Sequence, residues 1–256
     1  MPAFSLARRL RGGETVYCGW CALPAPILLE VLAREGFPAV SIDMQHGMWD
    51  FAGAVAGIAT IHGAGAAPVV RVPLDDFATV SRALDMGAEG VIAPMINTVA
   101  DAKKFVAAAK FPPLGERSWG PNRAMMLGQF ADAKTYLRDA NDMTVTIAMI
   151  ETRTALANLD AIAATPGIDV LFVGPSDLSI TLTGGATLDP HSKEVEAELD
   201  KVVAAARKAG KVAGLYCASA ERAAAMAKRG FGYLAVGSDL GFFREGIAAH
   251  MKALKG

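Results

Sequence analysis

Cysteine is scarce in this 256-residue chain, with three in all. So small and odd a number cannot frame a chain of this length with disulfides. Cys18-Gly-Trp-Cys21 has the spacing of dithiol oxidoreductases and of half of many zinc sites. It stands at the end of an apolar run rather than at a helix start, and no second C-x-x-C completes a tetrahedron, so two buried thiols are the preferred reading. Long apolar stretches are missing too. No segment reaches about 18 uninterrupted apolar residues, and Met1 to Arg11 lacks a signal-like apolar core, which predicts no membrane partner and a cytoplasmic protein. Net charge is all but absent: 25 Lys and Arg stand against 26 Asp and Glu. That balance excludes a nucleic-acid partner as the default and leaves a small molecule. There is no Gly-x-Ser-x-Gly elbow, no P-loop and no dinucleotide fingerprint after the first apolar run.

Alternation is what the chain does contain. Short apolar runs bounded by Gly, Pro or Asp recur, separated by Ala-rich stretches of helical spacing, the pattern of βα units around a parallel sheet. Strands are predicted at Val16–Gly19, Ala39–Asp43, Ala67–Val72, Gly90–Pro94, Thr144–Ile150, Val170–Val173, Lys211–Tyr216 and Tyr233–Val236. Helices are predicted at Pro26–Glu35, Asp50–His62, Phe77–Met86, Val99–Lys110, Thr154–Ala163, Ser192–Ala209, Ala218–Arg229 and Gly241–Lys255. Eight of each in about 250 residues predicts an α/β fold, a closed (β/α)8 TIM barrel, as one domain over residues 1–256. Phe4 to Leu10 is a short amphipathic piece suited to plugging the barrel bottom. Phe111 to Tyr136 and Gly184 to His191 are longer connections than a barrel needs.

In such a barrel the chemistry lies at the carboxyl ends of the strands. Strands five and six each run into a carboxylate, Glu151 and Asp177, one βα unit apart. Two like charges placed side by side need a cation or a shared proton. Helix capping is the plain alternative; the chemical reading is a divalent metal held by hard oxygen ligands. Gly174-Pro175-Ser176-Asp177 also offers backbone N–H groups at a helix start, where a substrate carboxylate can be held. Arg71 emerges from an otherwise apolar strand and must meet an anion, either Asp43 or a substrate oxygen. His46, three residues after Asp43, is structural or an oriented general base. Trp20 supplies an apolar wall. None of the eleven lysines stands at a strand's carboxyl end, which argues against Schiff-base chemistry. The set suits stabilising the enolate of a 2-oxo acid.

These residues resemble a known family, the metal-dependent (class II) pyruvate aldolases that include 4-hydroxy-2-oxoheptanedioate aldolase and 2-dehydro-3-deoxyglucarate aldolase. The resemblance runs through Ser41-Ile42-Asp43-Met44-Gln45-His46-Gly47, Val70-Arg71-Val72-Pro73, Asp85-Met86-Gly87-Ala88-Glu89-Gly90-Val91, Met149-Ile150-Glu151-Thr152, Gly174-Pro175-Ser176-Asp177-Leu178-Ser179 and Gly237-Ser238-Asp239. It implies reversible cleavage of a 4-hydroxy-2-oxo acid to pyruvate and an aldehyde through a metal-stabilised pyruvate enolate. It implies Mg2+, Mn2+ or Co2+ on Glu151 and Asp177, Arg71 on the keto oxygen, and the backbone of Ser176 and Asp177 on the carboxylate. Protons would be managed by His46 with Asp43 and Asp85, and Trp20 and Arg123 would help recognise the aldehyde. The resemblance further implies a homo-hexamer, a trimer of dimers, that exchanges its last helix, so that Asp85 and the loop with Arg117 and Arg123 serve a neighbouring subunit. Gln45 and Met149 depart from the familiar pattern, which has an acid and a Gln there. Rival readings are an oxaloacetate decarboxylase or citramalyl-type lyase on the same site, and a non-catalytic barrel.

Overall fold

The computed structural model describes residues 4–255. A short helix, α1 (Leu6–Arg11), comes first. Eight parallel strands follow: β1 (Val16–Cys21), β2 (Ala39–Asp43), β3 (Ala67–Arg71), β4 (Gly90–Ala93), β5 (Val145–Met149), β6 (Val170–Val173), β7 (Val212–Cys217) and β8 (Tyr233–Val236). They pair in chain order, and β8 closes on β1. Each strand lies within two residues of its predicted span. On the outside run α2 (Pro26–Arg34), α3 (Phe51–Gly63), α4 (Phe77–Asp85) and α5 (Val99–Ala109) after the first four strands. Two more helices, α6 (Asn122–Leu127) and α7 (Ala133–Met143), occupy the connection before β5. The second half adds α8 (Arg153–Ala157), α9 (Leu159–Ala163), α10 (Pro175–Leu182), α11 (Lys193–Lys208), α12 (Ala220–Arg229) and α13 (Asp239–Lys255).

Strand side chains alternate between the two faces of the sheet, and that period of two sorts the core into two layers. Inward go Val16, Cys18 and Trp20 of β1, Ala67 and Val69 of β3, Val145, Ile147 and Met149 of β5, and Val170 and Phe172 of β6. Outward, under the helices, go Val40 and Ile42, Val70, Ala148, Leu171 and Leu215. The same parity disposes of Cys18-Gly-Trp-Cys21: its thiols are three residues apart on one strand, so one points into the barrel and the other beneath the helices. Both are buried and free, and burial pushes the Cys18 thiol up to about 12. They are packing groups, as the sequence suggested.

The barrel bottom is plugged as predicted. Leu6, Ala7 and Leu10 of α1 pack with the inward strand residues. Glu89, just before β4, caps that helix, its Oε2 accepting the Ser5 and Leu6 N–H groups at 2.6 and 2.8 Å. Burial outweighs those bonds and the nearby Arg9, and raises the Glu89 carboxyl to about 6.

Three local expectations change. The helix predicted over Thr154–Ala163 is broken at Asn158, whose side-chain amide donates to Asn97 O at 2.9 Å and to Thr154 O at 3.1 Å. The connection read as a long loop holds α6 and α7, seated on a small separate cluster of Phe4, Phe111, Ala124, Tyr136 and Ala140. Helix α7 buries only Tyr136 and Ala140, and so polar a segment reads as a loop in the sequence; its clearest mark is the Asp132 side chain capping the Thr135 N–H. The helix start expected at Gly174–Asp177 runs on into the full helix α10, opened by Pro175 and additional to the eight predicted helix spans.

Candidate active site

Parity and register together build the site. Asp43 and Arg71 end their strands on the inward face and are register partners in the β2–β3 ladder. They meet as a forked pair, Arg71 Nε on Asp43 Oδ1 at 2.9 Å and Nη2 on Oδ2 at 2.6 Å. Asp43 also accepts the Trp20 indole N–H at 3.3 Å and the backbone N–H groups of Gln45 and His46 at 3.0 and 3.2 Å. Burial by itself would raise this carboxyl. The Arg71 bonds and charge, with the two backbone donors, outweigh burial and hold it below the ordinary carboxylate range. Arg71 lies over the Trp20 ring, its Cζ 4.8 Å from the centroid. Its Nη1 has no protein partner among the described residues, so the fork that grips Asp43 leaves one nitrogen for a ligand.

Beside it runs a cleft of about 290 Å³ lined by Trp20, Ala22, Asp43, His46, Arg71, Met149, Phe172, Gly174, Pro175, Ser176, Asp177, Tyr216 and Ser238. No lysine is on that wall. Trp20 stacks on Phe172, centroids 6.3 Å apart, and meets the edge of Tyr216 at 5.7 Å.

Glu151 is the next inward residue after Met149, and Gly174 the next after Phe172. Since Met149 and Phe172 are register partners, the carboxylate faces a residue with no side chain. A Cβ on Gly174 would collide with Glu151 Oε2. The carboxylate is 3% exposed; Oε1 accepts the Met95 N–H at 2.9 Å and Oε2 has no partner. Burial pushes this acid up to about 7, with the Met95 N–H opposing, the Asp177 charge adding and Arg71 opposing again. Asp177 stands not at a strand end but in the first turn of α10, exposed to the cleft. The Ser176 and Asp177 N–H groups belong to that first turn and have no intrahelical acceptor. A buried, partnerless carboxylate oxygen beside a second carboxylate is a donor set of hard oxygens that fits a divalent ion, with positions left for substrate and water. No third His, Cys, Asp or Glu joins them among the described residues.

The structure therefore brings together Trp20, Asp43, His46, Arg71, Glu151, Ser176 and Asp177. His46 meets Asp43 through its backbone N–H, not its imidazole, so the turn is fixed while the ring is exposed to the cleft. Asp85 and Arg123 lie elsewhere in this chain. Asp85 ends α4 and holds the buried Arg117 at 2.6 Å; Arg123, on α6, reaches Val55 O at 3.4 Å. Phe172 and Tyr216 went unnoticed as cleft residues in the sequence, and counting inward positions along β6 and β7 would have found both; Ser238 belongs to the Gly237-Ser238-Asp239 run after strand eight, which was given no role.

A closed barrel with an arginine, a carboxylate pair and a helix start around one cleft at the strands' carboxyl ends defines an enzyme of barrel type. Residues 17–246 match the family model described as HpcH/HpaI aldolase/citrate lyase, and the chain belongs to that family, as an enzyme with aldolase activity. It is 38% identical over 228 residues to the hydroxypyruvate/pyruvate aldolase of Rhizorhabdus wittichii, covering 89% of each chain. It is 37% identical over 212 residues to the 4-hydroxy-2-oxovalerate aldolase of Novosphingobium aromaticivorans, covering 82% of this chain and 80% of that one. Among solved structures it resembles an HpcH/HpaI aldolase/citrate lyase family protein from Burkholderia cenocepacia, with a TM-score of 0.89 and 32% identity over 98% of this chain and 99% of the other.

Proposed function

We propose that this chain reversibly cleaves a 4-hydroxy-2-oxo acid to pyruvate and an aldehyde. The observation that carries the reading is Arg71: buried, forked onto Asp43, with Nη1 unpartnered at a cleft shared with Glu151 and Asp177 and free of lysine. The names of the relatives agree with it.

The substrate carboxylate sits on the Ser176 and Asp177 N–H groups at the start of α10, where the helix dipole favours an anion. Glu151 and Asp177 would hold Mg2+, Mn2+ or Co2+. When bound, the ion supplies positive charge that polarises a 2-oxo acid's carbonyl. Arg71 holds the keto oxygen through Nη1 and stabilises the negative charge that gathers there as the C3–C4 bond breaks. Asp43 does not move protons: with five donors on its two oxygens it stays charged and fixes Arg71, Trp20 and the His46 turn. His46 takes the proton from the C4 hydroxyl as the aldehyde forms. Trp20, Phe172 and Met149 exclude water from the reacting carbon.

The assembly reading belongs here as well. Helix α13 shows Leu240, Phe243, Ile247, Met251 and Leu254 exposed at a three- and four-residue spacing, one apolar stripe with nothing of this chain over it. A further copy of the chain covers it in a hexamer that exchanges this helix, and Asp85, Arg117 and Arg123 then stand at a neighbour's cleft. No described helix is long and apolar enough to cross a membrane, and the cytoplasm is the proposed place of work.

The test is direct. Chelation should abolish cleavage and a divalent ion restore it, while borohydride with pyruvate leaves activity intact. Arg71→Ala should lose proton exchange at the pyruvate methyl together with cleavage. Inactivation by borohydride, or full activity after rigorous chelation, would sink the reading.

A further inference from the structure

The Gly237-Ser238-Asp239 run after β8 takes no part in the reaction as described, yet it holds a carboxylate in a costly place. Asp239 opens α13 and is 6% exposed, and no Lys, Arg or His pairs with it among the described residues. A buried carboxylate without a cation has to be met by hydrogen-bond donors. Asp239 finds them on the loop after β1. Its Oδ1 accepts the Ala22 N–H at 3.0 Å, and its Oδ2 accepts the Leu23 N–H at 2.8 Å and the Cys21 thiol at 3.1 Å. From its own helix it takes the Leu240 N–H, on Oδ1 at 2.8 Å. The side chain is thus a tie between the last βα unit and the first.

What the tie holds bears on the cleft, whose wall includes Ala22 and Ser238. The Ala22 carbonyl accepts the Met48 N–H at 2.8 Å. A Cβ on Gly47 would collide with Asp43 O and come within 2.9 Å of Ala22 O and 3.0 Å of Ala22 Cα. The turn that carries His46 is therefore clasped between two seats, with no space between them for a further side chain. One seat is Asp43, which takes the Gln45 and His46 N–H groups and is itself fixed by Arg71. The other is Ala22, which lies just past the end of β1 and outside its ladder. The Asp239 carboxylate anchors that second seat.

We propose that Asp239 is a positioning residue for His46, acting through Ala22 on the turn that presents the imidazole to the cleft. The proposal rests on the aldolase reading above for the task of His46. Asp239 touches no reacting atom. It fixes where the acceptor of the C4 hydroxyl proton stands, whereas Arg71 and the start of α10, which hold the 2-oxo acid, depend on other contacts. Loosening the tie therefore separates cleavage from binding.

The experiment compares metal-loaded wild type with Asp239→Asn, whose amide turns an N–H toward one of the two backbone donors and opens the tie. A reacting group displaced by about 1 Å can cost about a hundredfold, so kcat for cleavage of 4-hydroxy-2-oxovalerate should fall about 10- to 100-fold, while the calorimetric Kd for pyruvate stays within about twofold of wild type. Cys21→Ala removes the thiol donor alone and should leave both values as they are. The imidazole C–H resonances of the four histidines give a readout independent of turnover. In Asp239→Asn the His46 resonance, assigned with His46→Gln, should shift or broaden, and those of His62, His191 and His250 should not. An unmoved His46 resonance overturns the proposal whatever kcat does; so does a loss of pyruvate binding in step with kcat, which marks general damage to the barrel. If the wild type cleaves nothing, the aldolase reading has failed, and the His46 resonance alone decides the positioning. Should Asp239→Asn not fold, amide exchange in the wild type decides instead: Ala22, Leu23 and Met48 amides protected like those of β1 uphold the tie, and exchange at the rate of an open loop overturns it.

Discussion

Placing a methyl group on Gly174 is the sharpest perturbation of the carboxylate pair. The register that sets Met149 against Phe172 brings Glu151 opposite residue 174, and Gly174→Ala would thrust a Cβ into Oε2, with Met149 Cε 3.1 Å away on the other side. The backbone at Gly174, φ −90° and ψ 95°, is open to alanine, so the cost arises from contact and not from strain. To reach ordinary van der Waals separation the carboxylate must withdraw by roughly 1 Å. The Oε1 bond to Met95 at 2.9 Å then stretches out of range, and the buried acid loses its sole protein partner. Ligand oxygens must hold position to about 0.2 Å, so divalent-ion affinity should fall at least tenfold, and retro-aldol activity at fixed ion concentration with it. Calorimetric titration with Mn2+ reads the affinity, and circular dichroism checks that the barrel is intact. A folded Gly174→Ala protein binding Mn2+ within twofold of wild type would show that Glu151 is not where the ion sits.

Other expectations follow from the same geometry. Asp43→Asn removes the charge facing an arginine that is 8% exposed and turns an N–H toward the Arg71 or Trp20 donors. Opening to the cleft puts the cost at the low end for a broken buried pair, about 3 kcal/mol, or a Tm about 6–12 °C lower by calorimetry; a shift under about 2 °C would mean that water replaces Asp43. Glu89 is raised in the folded protein from an ordinary 4.5 to about 6. Folding therefore favours its neutral form, a contribution fully present below about pH 4.5 and lost as pH rises through about 6. Glu89→Gln should flatten about 1 kcal/mol of that decline between about pH 5 and 7.5, read by urea unfolding at those two values; an unaltered slope would assign the decline to other groups. Ile247→Glu puts a charge in the exposed stripe of α13. Light scattering should show a smaller assembly, and an unchanged mass would exclude that face from the subunit contact.

The eight strands were legible because each is a short apolar run, most of them closed by Gly, Pro or Asp, and a strand buried on both faces needs nothing more. The long connection was harder: α7 is held by a cluster of distant aromatic residues, and its own sequence is mostly polar. Asn158 breaks a helix for a partner, Asn97, that lies far away in the chain.

For the site, the sequence by itself determined which polar groups stand at strand ends, since a charged residue closing an apolar run has few other places to go. It named Arg71, Asp43, His46 and Glu151 on that ground, and Asp177, which the structure places in the first turn of α10. Tertiary structure decided what each one faces. Register made Asp43 the clamp on Arg71 and turned His46's tie to it into a backbone bond. It put Glu151 against Gly174, where no side chain intrudes on its carboxylate. Parity sent Tyr216 into the cleft and the two thiols of Cys18-Gly-Trp-Cys21 to opposite layers. The reason is physical: residue type is local, whereas a carboxylate's charge, a hydroxyl's partner and a glycine's necessity depend on the neighbouring strand, and pairing sets that neighbour only when the barrel closes.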